Sequence, residues 1–333
     1  MDIEKVKSFT KGVCAFSEKP DGFFMPERMT APQSAYFEAM NSAMAMRAHC
    51  SAGVRFDFVT DEKELSFDYR IPESYRTEVA FDVYENDVLY SSVMNTTGQD
   101  GRFVYRVLTE GKVRITIHFP CIAMVTFRNV SFDNAEPHRD PENMKKILFF
   151  GDSITQGVDC GRNASLNFPA LTARYLNTEF VNLGVGSAMF CPEFIDAGHP
   201  FVPDEIVVAY GANDGVTKNR TDAEVESKTA EFMKKIKSTY PGAAIYALSP
   251  VWSWRNDENG SKPYTPEEKL RQQLVRDVII KFSAENGIAF IDGMKLVPHM
   301  QEFFRPNDPH PVEIGFSLFA AELSKKIAAL RKA

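Results

Sequence analysis

Ile147-Leu148-Phe149-Phe150-Gly151-Asp152-Ser153-Ile154-Thr155-Gln156-Gly157 is the stretch on which the reading of this chain turns. Apolar residues run without interruption to Gly151, and a polar, glycine-closed segment follows. An apolar run without alternation marks a strand covered on both faces, the condition of a parallel sheet. Ser153 therefore stands where a strand ends and a helix begins, at the carboxyl edge of an open α/β sheet, where such sheets place their chemistry. A serine there is a nucleophile if a base reaches it, and otherwise a helix cap. The segment is not the Gly-x-Ser-x-Gly elbow, because Thr155 holds the place of the second glycine. It is not a phosphate-binding loop, because no Gly-Lys-Ser/Thr follows.

The pattern around this stretch divides the chain. Up to residue 133 apolar and polar residues alternate, as at Phe56 and Phe58, at Leu65, Phe67 and Tyr69, and at Val113, Ile115, Ile117 and Phe119. Turn signals such as Glu85-Asn86-Asp87 and Glu110-Gly111-Lys112 separate these runs, so the spacing predicts many short strands with one buried face. The expectation is an all-β, jelly-roll-like sandwich domain over 1–133, with residues 1–45 too weakly periodic to assign. A polar, proline-marked linker is predicted over 134–144. From 145 to 333 strands alternate with helices, which predicts a parallel sheet with helices on both faces. Thr221-x-x-Glu224 opens one helix as a capping box, and Thr265-Pro266-Glu267-Glu268 opens another with proline in its first turn. Strands are predicted at 244–248 and 288–291, and a last helix from Val312 to Leu330.

Composition narrows the class. A length of 333 residues favours two domains. A net charge of −7, with no stripe of Lys or Arg, argues against nucleic acid. The five cysteines are scattered and include no Cys-x-x-Cys, so neither a zinc site nor a disulfide framework is expected. No apolar stretch at the start reads as a signal peptide and none is long enough to span a bilayer, so a cytoplasmic protein without membrane attachment is expected. Nothing in the sequence speaks to oligomeric state.

Three further blocks follow Gly151-Asp152-Ser153 in order: Asn182-Leu183-Gly184-Val185-Gly186-Ser187, Gly211-Ala212-Asn213-Asp214 after an apolar run, and Asp308-Pro309-His310-Pro311 with Gly315 beyond. Together the four resemble the first, second, third and fifth blocks of the SGNH (GDSL-type) hydrolases, over roughly residue 145 to the C-terminus. The resemblance implies a flavodoxin-like, three-layer α/β sandwich. It implies Ser153 as nucleophile, His310 as base, and an oxyanion hole from the Ser153 N–H, a backbone N–H of the Gly186-Ser187 turn and the Asn213 side chain. The register leaves open whether Gly186 or Ser187 supplies that donor. Asp152 and Asp214 are given structural roles as acceptors of backbone N–H groups. His299 is read as a packing residue.

One departure bears on the base. The family places an aspartate three residues before the histidine, where this chain has Asn307; Asp308 lies two before. Either Asp308 orients His310, the favoured reading, or a neutral group does and the site is a dyad. Trp252, Trp254 and Arg255 follow a strand whose end shares the catalytic edge, and aromatic faces beside a charge suit a sugar ring; the alternative is that one tryptophan packs into the core. With a β-sandwich in front, the chain resembles bacterial carbohydrate esterases of the acetylxylan type. The expectation is a serine esterase without metal or cofactor, removing acetyl groups from a small acylated sugar or oligosaccharide. The competing readings are a lipid or thioester hydrolase, and a carbohydrate-binding protein with a weakly active hydrolase domain.

Overall fold

The computed structural model describes residues 1–332 apart from 99, 161–163, 261 and 307. The chain opens with α1 (Ile3–Ser8), β1 (Thr10–Lys11), β2 (Ala15–Glu18), β3 (Phe24–Glu27), α2 (Ala31–Glu38) and α3 (Ser42–His49). Then come β4 (Arg55–Thr60), β5 (Glu64–Arg70), β6 (Glu78–Glu85), β7 (Val88–Thr96), β8 (Asp100–Arg106), β9 (Val113–His118), β10 (Thr126–Ser131) and β11 (Glu136–Pro137). They form two antiparallel sheets, one ordered β1-β4-β9-β6-β7 with β11 added beside β4, the other β2-β3-β10-β5-β8. Phenylalanines fill the space between. Phe56, Phe67, Phe81, Phe103, Phe119, Phe127 and Phe132 are all fully buried, and Phe67 stacks on Phe103 at 4.6 Å. The alternation in the sequence supplies this core, because period-two residues share one face.

The second unit holds β12 (Lys146–Gly151), α4 (Ser153–Gln156), α5 (Phe168–Leu176), β13 (Glu179–Asn182), β14 (Glu205–Ala209) and α6 (Asp222–Thr239). It continues with β15 (Ala244–Leu248), α7 (Pro266–Glu285), β16 (Ala289–Ile291) and α8 (Glu313–Leu330). The sheet is parallel throughout, in the order β13-β12-β14-β15-β16. On β12, Ile147 and Phe149 pack with Phe168 of α5 and Phe319 of α8, whose rings stack at 4.2 Å. Leu148 and Phe150 face the other way, toward Phe232 of α6 and Ile279 of α7. Both faces are covered, so β12 reads as a continuous apolar run. Both predicted capping boxes form, at Thr221 and Thr265. This is the SGNH hydrolase fold, with an antiparallel β-rich region in front of it. Among the described residues no helix is long and apolar enough to cross a membrane.

Two expectations about the first half need correction. Residues 1–133 are not all β: α2 and α3 carry Phe37, Met44 and Ala48 into the same core as Leu148, Val181 and Phe194 of the parallel-sheet unit. Phe37 lies 4.9 Å from Phe194. Arg28, fully buried, donates to the carbonyls of Cys50, Arg47 and Asn182 and so ties the end of α3 to the end of β13. The 134–144 segment is not a free linker either, because β11 within it pairs with β4. Its proline pairs at the edge of the sheet, where the missing N–H is tolerated.

Candidate active site

The site forms where β12, β13 and β14 end. Ser153 is the first residue of α4, and the Asp152 carboxylate before it caps that turn by accepting the N–H of Ile154 at 3.0 Å. His310 comes from the loop ahead of α8. That loop is closed by the bridge between Phe304 and Pro311 and by the Arg305 N–H donating to the His310 carbonyl at 2.9 Å. The two side chains meet with His310 Nε2 2.7 Å from Ser153 Oγ. On the far side of the ring, Nδ1 engages Asp308 Oδ1, which also accepts the backbone N–H of His310 at 3.0 Å. That second bond explains how an acid two residues away reaches the ring: Asp308 folds back on its own turn. Burial works against its charge, yet the His310 hydrogen bond and charge hold its carboxyl below the usual carboxylate range. Asn307, the other orienter considered, lies outside the described residues.

A second acid, missed in the sequence, stands beside the same nitrogen. Asp159 Oδ2 is 3.4 Å from His310 Nδ1, and its Oδ1 accepts from Arg76 Nη2 at 2.5 Å and Arg305 Nη1 at 2.6 Å. Among the described residues the buried Oδ2 atom makes no hydrogen bond, so its contact with the ring is one of charge. Asp159 takes a left-handed backbone with φ of 64°. Asp159, Asp308 and His310 could in principle hold a metal ion. Here they are already engaged with one another, with Ser153 and with two guanidinium groups, which suits a proton relay.

The donors for an oxyanion sort themselves by what is already bonded. The Gly186 N–H donates to Gln156 Oε1 at 2.7 Å and is not free. The expectation that Gly186 could be the donor is therefore corrected. Ser187, with φ of 66°, has no partner for its N–H among the described residues and lines the cleft, as do Ser153 and Asn213. Asn213 uses one amide hydrogen on the Ala188 carbonyl at 3.0 Å and keeps the other. Gly186 is needed for a different reason: a Cβ there would lie 1.8 Å from the Tyr75 hydroxyl oxygen. Asp152 and Asp214 are buried behind the site as backbone acceptors, Asp214 from the N–H of Phe190 at 3.3 Å. Burial pushes Asp152 up to about 7 and Asp214 up to about 6.

Of the three residues expected to hold a sugar, one lines the cleft. Trp252 is 6% exposed, stacked on His299 at 5.2 Å and edge-on to Phe304, so it offers no free face to a ring. Trp254 donates its indole N–H to the Gln301 carbonyl at 2.9 Å and is not part of the cleft wall. Arg255 does line the cleft, but its guanidinium is held by Glu268 at 2.7 and 2.8 Å and lies over Tyr264. The opposite wall was not foreseen: Arg47, Tyr75 and Arg76, from before the parallel-sheet unit, border a cleft of about 260 Å³ with Ser153, Ser187 and His310. No local sequence signal marks them, because they act at long range.

A model of the GDSL-like Lipase/Acylhydrolase family matches residues 149–315. By sequence alone, no curated protein matches the chain. Among solved structures, a salicylyl-acyltransferase from a tetracycline biosynthetic pathway superposes with a TM-score of 0.77 at 20% identity, covering 96% of this chain and 94% of its own. A family two carbohydrate esterase from Clostridium thermocellum, in complex with cellohexaose, gives 0.65 at 16% identity over 85% and 94%. An acetyl xylan esterase from the rumen bacterium Butyrivibrio proteoclasticus gives 0.62 at 16% identity over 86% and 92%. At such identities the likeness is one of fold.

Proposed function

The chain belongs to the GDSL-like lipase/acylhydrolase family and is a carboxylic ester hydrolase, and we propose that it removes short acyl groups, acetyl above all, from a carbohydrate. The observation that carries the reading is the 2.7 Å contact between His310 Nε2 and Ser153 Oγ at the mouth of a cleft, with carboxylates behind the imidazole. His310 takes the proton of Ser153 as Oγ attacks the ester carbonyl. Asp308 holds the Nδ1–H tautomer and stabilises the imidazolium that results. The carbonyl oxygen, as it gains charge, is met by the N–H groups of Ser153 and Ser187 and by the amide of Asn213. His310 then protonates the departing sugar oxygen, and the same base activates water to release the acyl group.

The sugar half of the reading draws on the fold neighbours, two of which are carbohydrate esterases, and on a cleft walled by arginine, tyrosine and serine. The test is a series of p-nitrophenyl esters from acetate to decanoate, run beside acetylated xylose and glucose with released acetate as the readout. Acetate should be fastest, and the acetylated sugars should be turned over. Rates that climb with chain length, with no acetate released from any sugar, would replace this reading with a lipid ester hydrolase.

A further inference from the structure

Arg47 sits half-buried at the end of α3, on the wall of the cleft beside Ser187. Its guanidinium reaches only neutral acceptors: the Gly186 carbonyl at 3.2 Å, Ser187 Oγ at 2.7 Å and Met44 Sδ at 3.6 Å. Among the described residues no carboxylate pairs with it. The other arginines of the cleft differ, since Arg76 is matched by Asp159 and Arg255 by Glu268. Two buried donor atoms on this wall also lack partners, Arg47 Nε and the hydroxyl of Tyr75, whose ring lies 4.9 Å from the guanidinium. The chain as a whole carries a charge of −7, so an unmatched cation beside the nucleophile goes against the overall balance.

A guanidinium drawn partly out of water without a counter-charge is costly to keep. A neutral hydroxyl could fill its hydrogen bonds and would leave the charge as it is. A carboxylate or phosphate would do both, and guanidinium geometry matches either oxyanion. We propose that the acylated substrate carries an anionic group, a carboxylate or a phosphate, which pairs with Arg47 while its ester lies at Ser153. The inference rests on the reading of the cleft as an ester-hydrolysing, sugar-binding site and adds the charge of the substrate to it.

The experiment compares monoacetylated glucose, glucuronate and glucose 6-phosphate, with released acetate as the readout, in the wild-type chain and in Arg47→Met and Arg47→Lys. In the wild type an anionic ester should lead the neutral one in kcat/KM by about 10- to 100-fold, the worth of a charge-assisted hydrogen bond. Whichever of the two anions leads assigns the group as carboxylate or phosphate. In Arg47→Met the ratio of anionic to neutral should fall to about 1, and Arg47→Lys should keep part of it. The ratio is the readout because Arg47 also braces the Gly186–Ser187 turn, so its loss slows every ester together. In the wild type alone, the preference should shrink between about 0.05 and 0.5 M salt, as charge pairing does. Equal rates on the three sugars, or a preference that survives in Arg47→Met, overturns the inference and leaves the esterase reading standing. Turnover of p-nitrophenyl acetate with none of the sugars cleaved removes the carbohydrate reading and this inference together.

Discussion

The two walls of the cleft are made by different kinds of contact. On one wall Ser153, Ser187 and Asn213 leave the ends of parallel strands, and His310 leaves the loop before the last helix. Ser153 and His310 are set by neighbours in sequence: Asp152 caps the turn of Ser153, and Asp308 reaches His310 from two residues away. On the other wall Arg47 meets Ser187 across 140 positions, and Arg76 meets Asp159 across 83. The first wall is set by backbone geometry and the second by side chains on a separate unit. A side chain on the second wall can change without moving the nucleophile. The division assigns cleavage to the first wall and the choice of ester to the second, apart from the support that Arg47 gives the Gly186–Ser187 turn.

The most severe test of the first wall is Ser153→Ala. It should leave the circular dichroism spectrum and thermal midpoint near those of the parent and lower kcat on p-nitrophenyl acetate by about 10⁴-fold or more. Turnover at the parental rate would remove Ser153 from the chemistry. Next come the two acids. Asp308→Asn presents an amide to Nδ1 and favours the wrong tautomer, so kcat should fall on the order of 10³-fold. Asp159→Asn should cost about 10-fold, because its carboxylate touches the ring at 3.4 Å and spends one oxygen on arginines. Arg76→Ala acts through Asp159, so the double variant Asp159→Asn/Arg76→Ala should lose no more than Asp159→Asn alone. Additive losses would mean that the second wall has its own part in catalysis, and the division above would fail.

Asp152 gives a pH test of the same wall. Its folded-state value, pushed up to about 7 by burial, stands above the ordinary carboxylate value of 3.8, with Asp214 raising it further and the Ile154 N–H and His310 opposing. The folded protein therefore holds a proton that the unfolded chain has released. The stabilisation is present below the unfolded value and is lost as pH rises toward about 7. Asp152→Asn keeps the acceptor for the Ile154 N–H and removes the titration. Chemical denaturation from pH 4 to 7 should show the variant gaining on the parent, on the order of 2–4 kcal/mol by the upper end. A difference that stays constant across the range would show that Asp152 is ionised throughout.

The first wall was legible in the sequence because strand ends, caps and glycine-bearing turns leave local marks. The apolar run into Gly151-Asp152-Ser153 placed the nucleophile, and the capping boxes at Thr221 and Thr265 placed two helices. Asp308 was legible as a departure and as the favoured partner of His310, while the backbone bond inside the turn that brings it there was not. Gly186 and Ser187 could not be told apart because the difference lies in a hydrogen bond to Gln156. For Trp252 a cleft and a core position both stayed open for a related reason: a strand end gives the location of a residue, while the direction of its ring depends on His299 and Phe304 far along the chain. The second wall left no mark, since residues 1–45 are weakly periodic and the place of α2 and α3 rests on distant contacts such as Phe37 against Phe194.

The walls also meet at Tyr75 and Gly186, and there the smallest effect should be the most informative. The Tyr75 hydroxyl approaches Gly186 so closely that a Cβ on residue 186 would lie 1.8 Å from its oxygen and 2.8 Å from its Cζ. Gly186→Ala must push the ring aside, an overpacking that costs roughly 1–3 kcal/mol. Tyr75→Phe removes a buried hydroxyl that has no partner, so alone it should be close to neutral. Combined, the two should be better than additive, because the missing oxygen relieves the closer of the two clashes and leaves the Cζ contact to be absorbed. Thermal melts of the parent, the two single variants and the double variant form the cycle. Additive midpoints would mean that the ring swings clear on its own. The second wall would then be loosely held against the first, and a substrate charge recognised there could not be positioned accurately over Ser153.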